Sequence, residues 1–249
     1  MPQSDNLLLS SMLAQADPSQ VAGLSRFFKT GPGQYGEGDR FLGIKVPVTR
    51  ETVKSCWRSV GLSELEECIG SEYHEVRLAA LLALVEIFRH PGKGVAEMTK
   101  EDCVRFYLDH TASINNWDLV DLSCYSLLGE WLLDKDRTLL YNLARNGSTI
   151  WEQRIGIVST MTFIRHGQLD DTFSIADILL HHSHDLIHKA VGWLLREAGK
   201  KNKQALETYL NGGSEDNPRY QTMPRTMLRY AVEKFPEPER KAYLGGYAS

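Results

Sequence analysis

Trp117 and Asp121 stand four residues apart in Asn115-Asn116-Trp117-Asp118-Leu119-Val120-Asp121, a spacing that puts both side chains on one face of a helix. A fixed carboxylate beside an indole suits the electrostatic stabilisation of a cation that develops during reaction, with no proton transferred. The same pair also suits a helix cap or a hydrogen-bond acceptor, and Asp118 lies one step round the helix. The string alone leaves both readings open.

A second tryptophan sits among cations. Over residues 185–200 a helical step of about 100° per residue gathers Ile187, Val191, Leu194 and Ala198 on one side and Lys189, Trp193, Arg196 and Lys200 on the other. A ring exposed in a basic groove fits a nucleic-acid partner. A ring buried against a neighbouring helix, with solvated lysines round it, fits the usual behaviour of tryptophan. Arg154 shares a stripe with Trp151, Ile157, Val158 and Met161, so its guanidinium must find a carboxylate, a carbonyl or a ligand phosphate. It is either an ion pair stitching adjacent repeats, as Arg77 at the equivalent position supports, or a phosphate contact.

Other motifs fail on context. Gly31-x-Gly33-x-x-Gly36 has the form of a dinucleotide fingerprint, but no strand precedes it and no βαβ unit surrounds it. His181, His182, His184 and His188 look like a metal cluster, with His184 and His188 at the i, i+4 spacing of zinc ligands, yet Asp185 stands where H-E-x-x-H has glutamate and no third ligand is evident. They read as helix-end histidines, and no metal or cofactor is expected. Neither a G-x-S-x-G elbow nor a Walker loop occurs.

The elements that must position these residues are helices. Helical periodicity dominates and no period-two run is long enough for a sheet, so the expected fold is all α. The relevant helices are expected at 74–90, 116–133, 149–166, 185–200 and 223–234, with an irregular stretch from Gly31 to Pro47. Ser63 with Glu66 fits a capping box, as does Thr99 with Asp102 more weakly, while Gly147, Gly167 and Gly212 mark helix ends. His74-Glu75-Val76-Arg77-Leu78-Ala79 recurs loosely as Trp151-Glu152-Gln153-Arg154-Ile155-Gly156, an offset of 77 residues. Two repeats of about 38 residues lie near the HEAT or armadillo period. They predict a right-handed, curved α-solenoid of HEAT-like helix pairs with a concave face. One domain is expected over 1–249, with N-terminal helices and the glycine-rich loop in 1–60 and helix-pair repeats in 61–249.

Composition narrows the setting. Hydrophobic residues make up 42% and charged residues 24% of the chain, which is ordinary for a globular protein. Apolar stretches such as Leu78 to Val85 fall far short of the roughly 20 residues a membrane span needs. No basic residue precedes the short apolar run near the N-terminus, so it fails as a secretory signal and the expected location is cytoplasmic. Four cysteines at 56, 68, 103 and 124 form no C-x-x-C pair and read as reduced, packed thiols. The net charge of -4 hides a division: residues 26–58 carry seven Lys/Arg against three acids, 185–249 eleven against eight, and 59–184 ten against nineteen. Two basic flanks round an acidic middle permit a local polyanion site.

An ordered set of blocks resembles the DNA alkylation repair family of AlkD-like DNA glycosylases, which are HEAT-like repeat proteins. The blocks are Phe27-Phe28-Lys29-Thr30-Gly31-Pro32-Gly33-Gln34-Tyr35-Gly36-Glu37-Gly38-Asp39, Phe41-Leu42-Gly43-Ile44-Lys45-Val46-Pro47, Asn116-Trp117-Asp118-Leu119-Val120-Asp121, Trp151-Glu152-Gln153-Arg154, Lys189-Ala190-Val191-Gly192-Trp193-Leu194-Leu195-Arg196-Glu197 and Pro224-Arg225. The resemblance implies that Asp121 is the catalytic carboxylate, that Trp117 and Trp193 flank the lesion nucleotide, and that Arg154 contacts the DNA backbone. Lys29, Tyr35, Lys189, Arg196 and Arg225 are the further expected DNA contacts. The implied partner is double-stranded DNA carrying N3- or N7-alkylated purines, met by a monomer from the backbone side without a base pocket.

The residue types suit that chemistry independently. A purine alkylated at N7 or N3 is already cationic, so its glycosidic bond breaks without a general acid and leaves positive charge on the sugar. A fixed anion, π-faces and a carboxylate-held water are what remain useful. No nucleophilic lysine stands out, which favours hydrolysis to an abasic site over a covalent lyase. The other reading is a non-catalytic HEAT-like scaffold binding DNA or protein.

Overall fold

A computed structural model describes residues 6–214 and 217–245 of the chain. Among the described residues helices account for nearly all of the regular structure; besides them stand the two-residue strands β1 (Gly213–Ser214) and β2 (Asn217–Pro218), paired antiparallel, and an isolated parallel bridge between Arg40 and Tyr73. The all-α expectation holds. The single expected domain resolves into two compact units, residues 1–123 and 124–249. No linker of Pro, Ser or Gly marks the seam, because it falls inside the expected helix 116–133. Residues 1–5, 215–216 and 246–249 of that expected domain lie outside the described residues.

The first unit holds α1 (Leu7–Leu13), α2 (Pro18–Phe27), α3 (Val46–Cys56), α4 (Leu62–Ile69), α5 (His74–Arg89), α6 (Lys100–Asp109) and α7 (Trp117–Asp121). At its centre lies α5, whose middle run Leu78 to Val85 is apolar on every side and whose Leu78, Leu81 and Leu84 are almost wholly covered; such a helix has to be interior. It packs against α1, α3, α4, α6 and α7. Thr99 and Asp102 cap α6 reciprocally as expected. The box expected at Ser63 and Glu66 is displaced by two residues: Glu64 turns back to the Gly61 N–H at 2.6 Å.

The second unit holds α8 (Thr138–Asn146), α9 (Ile150–Val158), α10 (Met161–Arg165), α11 (Asp170–Ile178), α12 (Asp185–Lys201), α13 (Lys203–Asn211), α14 (Arg219–Thr222), α15 (Arg225–Ala231) and α16 (Glu237–Gly245). Here α12 is central and packs against α9, α10, α11, α13 and α15. Its stripe of Ile187, Val191, Leu194 and Ala198 is fully buried.

The expected helix 116–133 is broken. After α7 come two turn residues, then a π-helical turn over Tyr125–Gly129. Two hydroxyls account for the irregularity. Ser123 Oγ donates back to the Leu119 carbonyl, a bond that competes with the helix ladder, and Thr162 Oγ1 donates to the Tyr125 carbonyl at 2.6 Å. The Tyr125 carbonyl also takes the Glu130 N–H, five residues on. Such turns are frequent at functional sites.

Candidate active site

The first unit builds a site round α7. Asn116, a residue type favoured at N-caps, precedes it with Oδ1 accepting the Trp117 N–H at 2.9 Å. With only five residues, α7 puts Trp117 at its first position and Asp121 at its last, on the same face, both half-buried. Asp118, one step round from Trp117, is buried.

Beneath that face lies a buried ionic cluster. His74, the first residue of α5, bonds Asp118 Oδ2 through Nε2 at 2.9 Å and Asp39 Oδ2 through Nδ1 at 3.0 Å. Asp39 closes the glycine-rich loop and takes three more donors: Arg77 Nη2 at 2.6 Å, Asn115 Nδ2 at 3.2 Å and Asn116 Nδ2 at 3.3 Å. Burial opposes charge on both partners and is outweighed on both. It pushes the imidazole down, but the hydrogen bonds and charges of Asp118 and Asp39 hold His74 up at about 9. It pushes the Asp39 carboxyl up, but His74, the Arg77 guanidinium and Asn116 bring it down to about 2. The cluster is therefore imidazolium and guanidinium against two carboxylates, the pairing that makes buried charge tolerable.

Aromatic rings complete the layer. Phe41 stacks on the His74 ring at 4.7 Å and Phe28 lies tilted against it at 4.8 Å. Phe28 stacks in turn on Trp117 at 5.3 Å, and Phe27, 61% exposed, meets Trp117 edge-on at 5.8 Å. Lys29 follows in the left-handed region, φ 56°, and is exposed; Tyr35 is half-buried.

The glycine-rich loop is no phosphate cradle. Its N–H groups are spent internally: Gly31 on Gln34 Oε1, Gly33 on Glu37 Oε2 at 2.8 Å, and Gly36 on the Lys29 carbonyl. A Cβ on Gly36 would stand 2.3 Å from the Phe28 carbonyl oxygen, so glycine there lets the loop close down. The next segment is clamped from α5, where the buried Glu75 accepts the N–H groups of Leu42, Gly43 and Ile44 at 2.9, 2.9 and 3.0 Å.

The second unit carries the remaining expected residues. Arg154 is 5% exposed and gives Nη1 to the Leu186 carbonyl, joining α9 to the first turn of α12. Of the two readings open for this side chain, a structural contact between helices and a phosphate contact, the buried bond to a first-turn carbonyl of α12 matches the first. Trp193 is half-buried, neither core nor fully exposed. The cations beside it are matched by carboxylates: Lys189 with Asp185 at 2.7 Å, Arg196 with Glu197 and Glu233, and Lys200 with Glu197 at 2.8 Å. Arg225 is exposed and donates to the Leu244 carbonyl. Among the histidines, His184 Nδ1 caps α12 through the Leu186 N–H, His182 faces Gln153, and His188 meets the His182 carbonyl. Burial lowers both His182 and His184, which suits neutral capping rings.

These geometries sit on a chain that matches the sequence profile of the DNA alkylation repair enzyme family over residues 8–235. The chain belongs to that family. Its role is therefore in DNA alkylation repair, with DNA as partner. A solved structure described as a predicted DNA alkylation repair enzyme from Enterococcus faecalis shares the fold, with a TM-score of 0.67 at 17% identity over 90% of this chain and 98% of that one. No curated protein matches the sequence significantly. In this DNA alkylation repair protein no described helix is long and apolar enough to cross a membrane, and no cluster of three or more His, Cys, Asp or Glu poised to hold a metal occurs among the described residues.

The first unit thus carries Lys29, Tyr35, Trp117 and Asp121, and gathers round α7 residues to which the sequence alone gives no role: Asp39, His74, Asp118 and the Phe27-Phe28 pair. A signal for His74 existed. It, Glu75 and Arg77 share the first turn of a helix whose middle, Leu78 to Val85, is wholly apolar, and charge buried there demands partners.

Proposed function

We propose that this repair protein is a monofunctional DNA glycosylase. It hydrolyses the N-glycosidic bond of cationic N3- or N7-alkylated purines in duplex DNA and leaves an abasic site, as the first step of base excision repair. It acts as a cytoplasmic monomer without metal or cofactor, and its four cysteines are free thiols. The observation that carries the reading is the shared face of α7, on which the Trp117 indole and the Asp121 carboxylate stand half-buried four residues apart.

Asp121 would sit beside the deoxyribose, stabilise positive charge on C1′ as the base departs, and hold the water that attacks. The Trp117 ring offers its π-face to the same charge. The base needs no proton, because alkylation has made it a neutral leaving group. Trp193 is assigned to the lesion strand, and Lys29, Tyr35, Arg154, Lys189, Arg196 and Arg225 to the backbone. Lys189 and Arg196 would then exchange their carboxylates for phosphates on binding.

The inward turn of Arg154 and the charge-paired face of α12 favour the other reading, a non-catalytic scaffold. Chromatographic detection of free 7-methylguanine and 3-methyladenine from methylated duplex separates the two. The glycosylase releases both above the spontaneous rate; a scaffold releases neither.

A further inference from the structure

We propose that His74 is the positioning residue of the Trp117–Asp121 face: clamped between Asp39 and Asp118, it locks the glycine-rich loop to α7 and so sets where the indole and the carboxylate stand. The inference rests on the proposed reading of Trp117 and Asp121 as the reacting face.

Five residues make too few internal hydrogen bonds to hold a helix by themselves, so the orientation of α7 has to be imposed from outside. Asp118 is the handle. It lies one turn from Asp121 and its carboxylate is drawn inward to His74, so turning α7 about its axis would break that bond and swing Asp121 at once.

His74 has no freedom of its own. Both ring nitrogens are engaged, one by the loop and one by α7, while Phe28 and Phe41 cover the ring. Phe28 passes the constraint on by stacking against Trp117 with ring planes 19° apart. The loop is fixed from the other side by Arg77 Nη2, Asn115 and Asn116 on Asp39. Lys29 keeps an uncommon backbone conformation between these anchors, φ 56°, a kind of strain that persists where the surroundings over-determine it.

The charges facing His74 are Asp39 from the loop and Asp118 from α7; on its own helix Arg77 answers Asp39, and Glu75 is turned to the amides of residues 42–44. Apolar side chains of the same volume could fill this space without the desolvation that four ionised groups incur. What they could not supply is a directional bond to both the loop and α7.

Two measurements on the full chain test this. In proton–nitrogen spectra, both His74 ring N–H groups should be protonated at pH 7 and titrate with a midpoint near 9. The Trp117 indole resonance, assigned by its loss in Trp117→Phe, should move with the same midpoint. An indole that stays still while His74 titrates, or a His74 titrating near its ordinary 6.5, overturns the proposal. In single turnover, His74→Gln should slow release of 7-methylguanine at least tenfold, the order of loss expected from a misplaced catalytic group, with the Kd for the same duplex within about twofold. Unchanged release, or a loss confined to affinity, also overturns it. If His74→Gln does not fold, Asp118→Asn takes its place with the same expectations. A wild-type protein that releases no base would defeat the glycosylase reading, yet the shared titration of His74 and Trp117 would still decide the positioning claim.

Discussion

His74 and Asp118 are 44 residues apart in sequence and 2.9 Å apart in space, with side chains only 2% and 4% exposed. That bond fastens the start of the central helix of the first unit to the short helix carrying Trp117 and Asp121.

Stability should therefore depend on pH in a specified direction. The folded pKa of His74, about 9, lies above its ordinary 6.5, so its contribution is complete below pH 6.5 and lost as pH rises through 9. For Asp39 the folded value of about 2 lies below the ordinary 3.8, so its contribution is present above 3.8 and lost as pH falls through 2. The His74 shift corresponds to roughly 3 kcal/mol, part of which is the same attraction counted from Asp39. Urea unfolding at pH 6 and pH 10 should differ by that order. A His74→Gln variant should lose the alkaline dependence, and an equal fall in both proteins would assign it elsewhere.

The segment after the loop should tolerate no change. Glu75→Ala strands three buried N–H donors, each worth about 1–3 kcal/mol when left unsatisfied. At Gly43, φ is 89° and a Cβ would fall 1.9 Å from the Asp17 carbonyl oxygen. Both Glu75→Ala and Gly43→Ala are expected to lower the thermal midpoint by several degrees or prevent folding. Near wild-type midpoints would contradict the clamp.

Trp193 should show a mixed response. A half-buried ring truncated to alanine should cost roughly 1–2 kcal/mol, between the ~0.5 of a surface change and the 3–5 of a core aromatic. If it also contacts the lesion strand, excision by the folded fraction falls. A core-sized loss of stability with normal excision would return it to a packing role.

Much of the fold is legible in the sequence because helices announce themselves locally. The apolar run of α5, the Thr99 and Asp102 cap of α6 and the buried stripe of α12 all stand where periodicity places them. The break at 122–129 was hidden because its cause is partly remote: Thr162, 37 residues on, bonds Tyr125. The site divides the same way. Trp117 and Asp121 share a face because they are four apart, and Arg77 meets the ion-pair expectation through Asp39. The role of Asp39 itself is invisible locally, since its partners lie 35 to 77 residues away. On α12 the cations are legible as a face and Asp185 and Glu197 stand on the same helix, but the second partner of Arg196, Glu233, comes from beyond α15.

The central claim is that Asp121 does the chemistry, and single-turnover release of 7-methylguanine from duplex DNA by wild type and Asp121→Asn measures it most directly. The substitution removes charge and keeps shape. Wild type should release base well above the spontaneous rate, while Asp121→Asn should lose about 10²-fold or more, the scale of removing one preorganised electrostatic group, with folding and duplex affinity intact. Wild-type release no faster than spontaneous depurination, or an Asp121→Asn rate equal to wild type, would contradict the account.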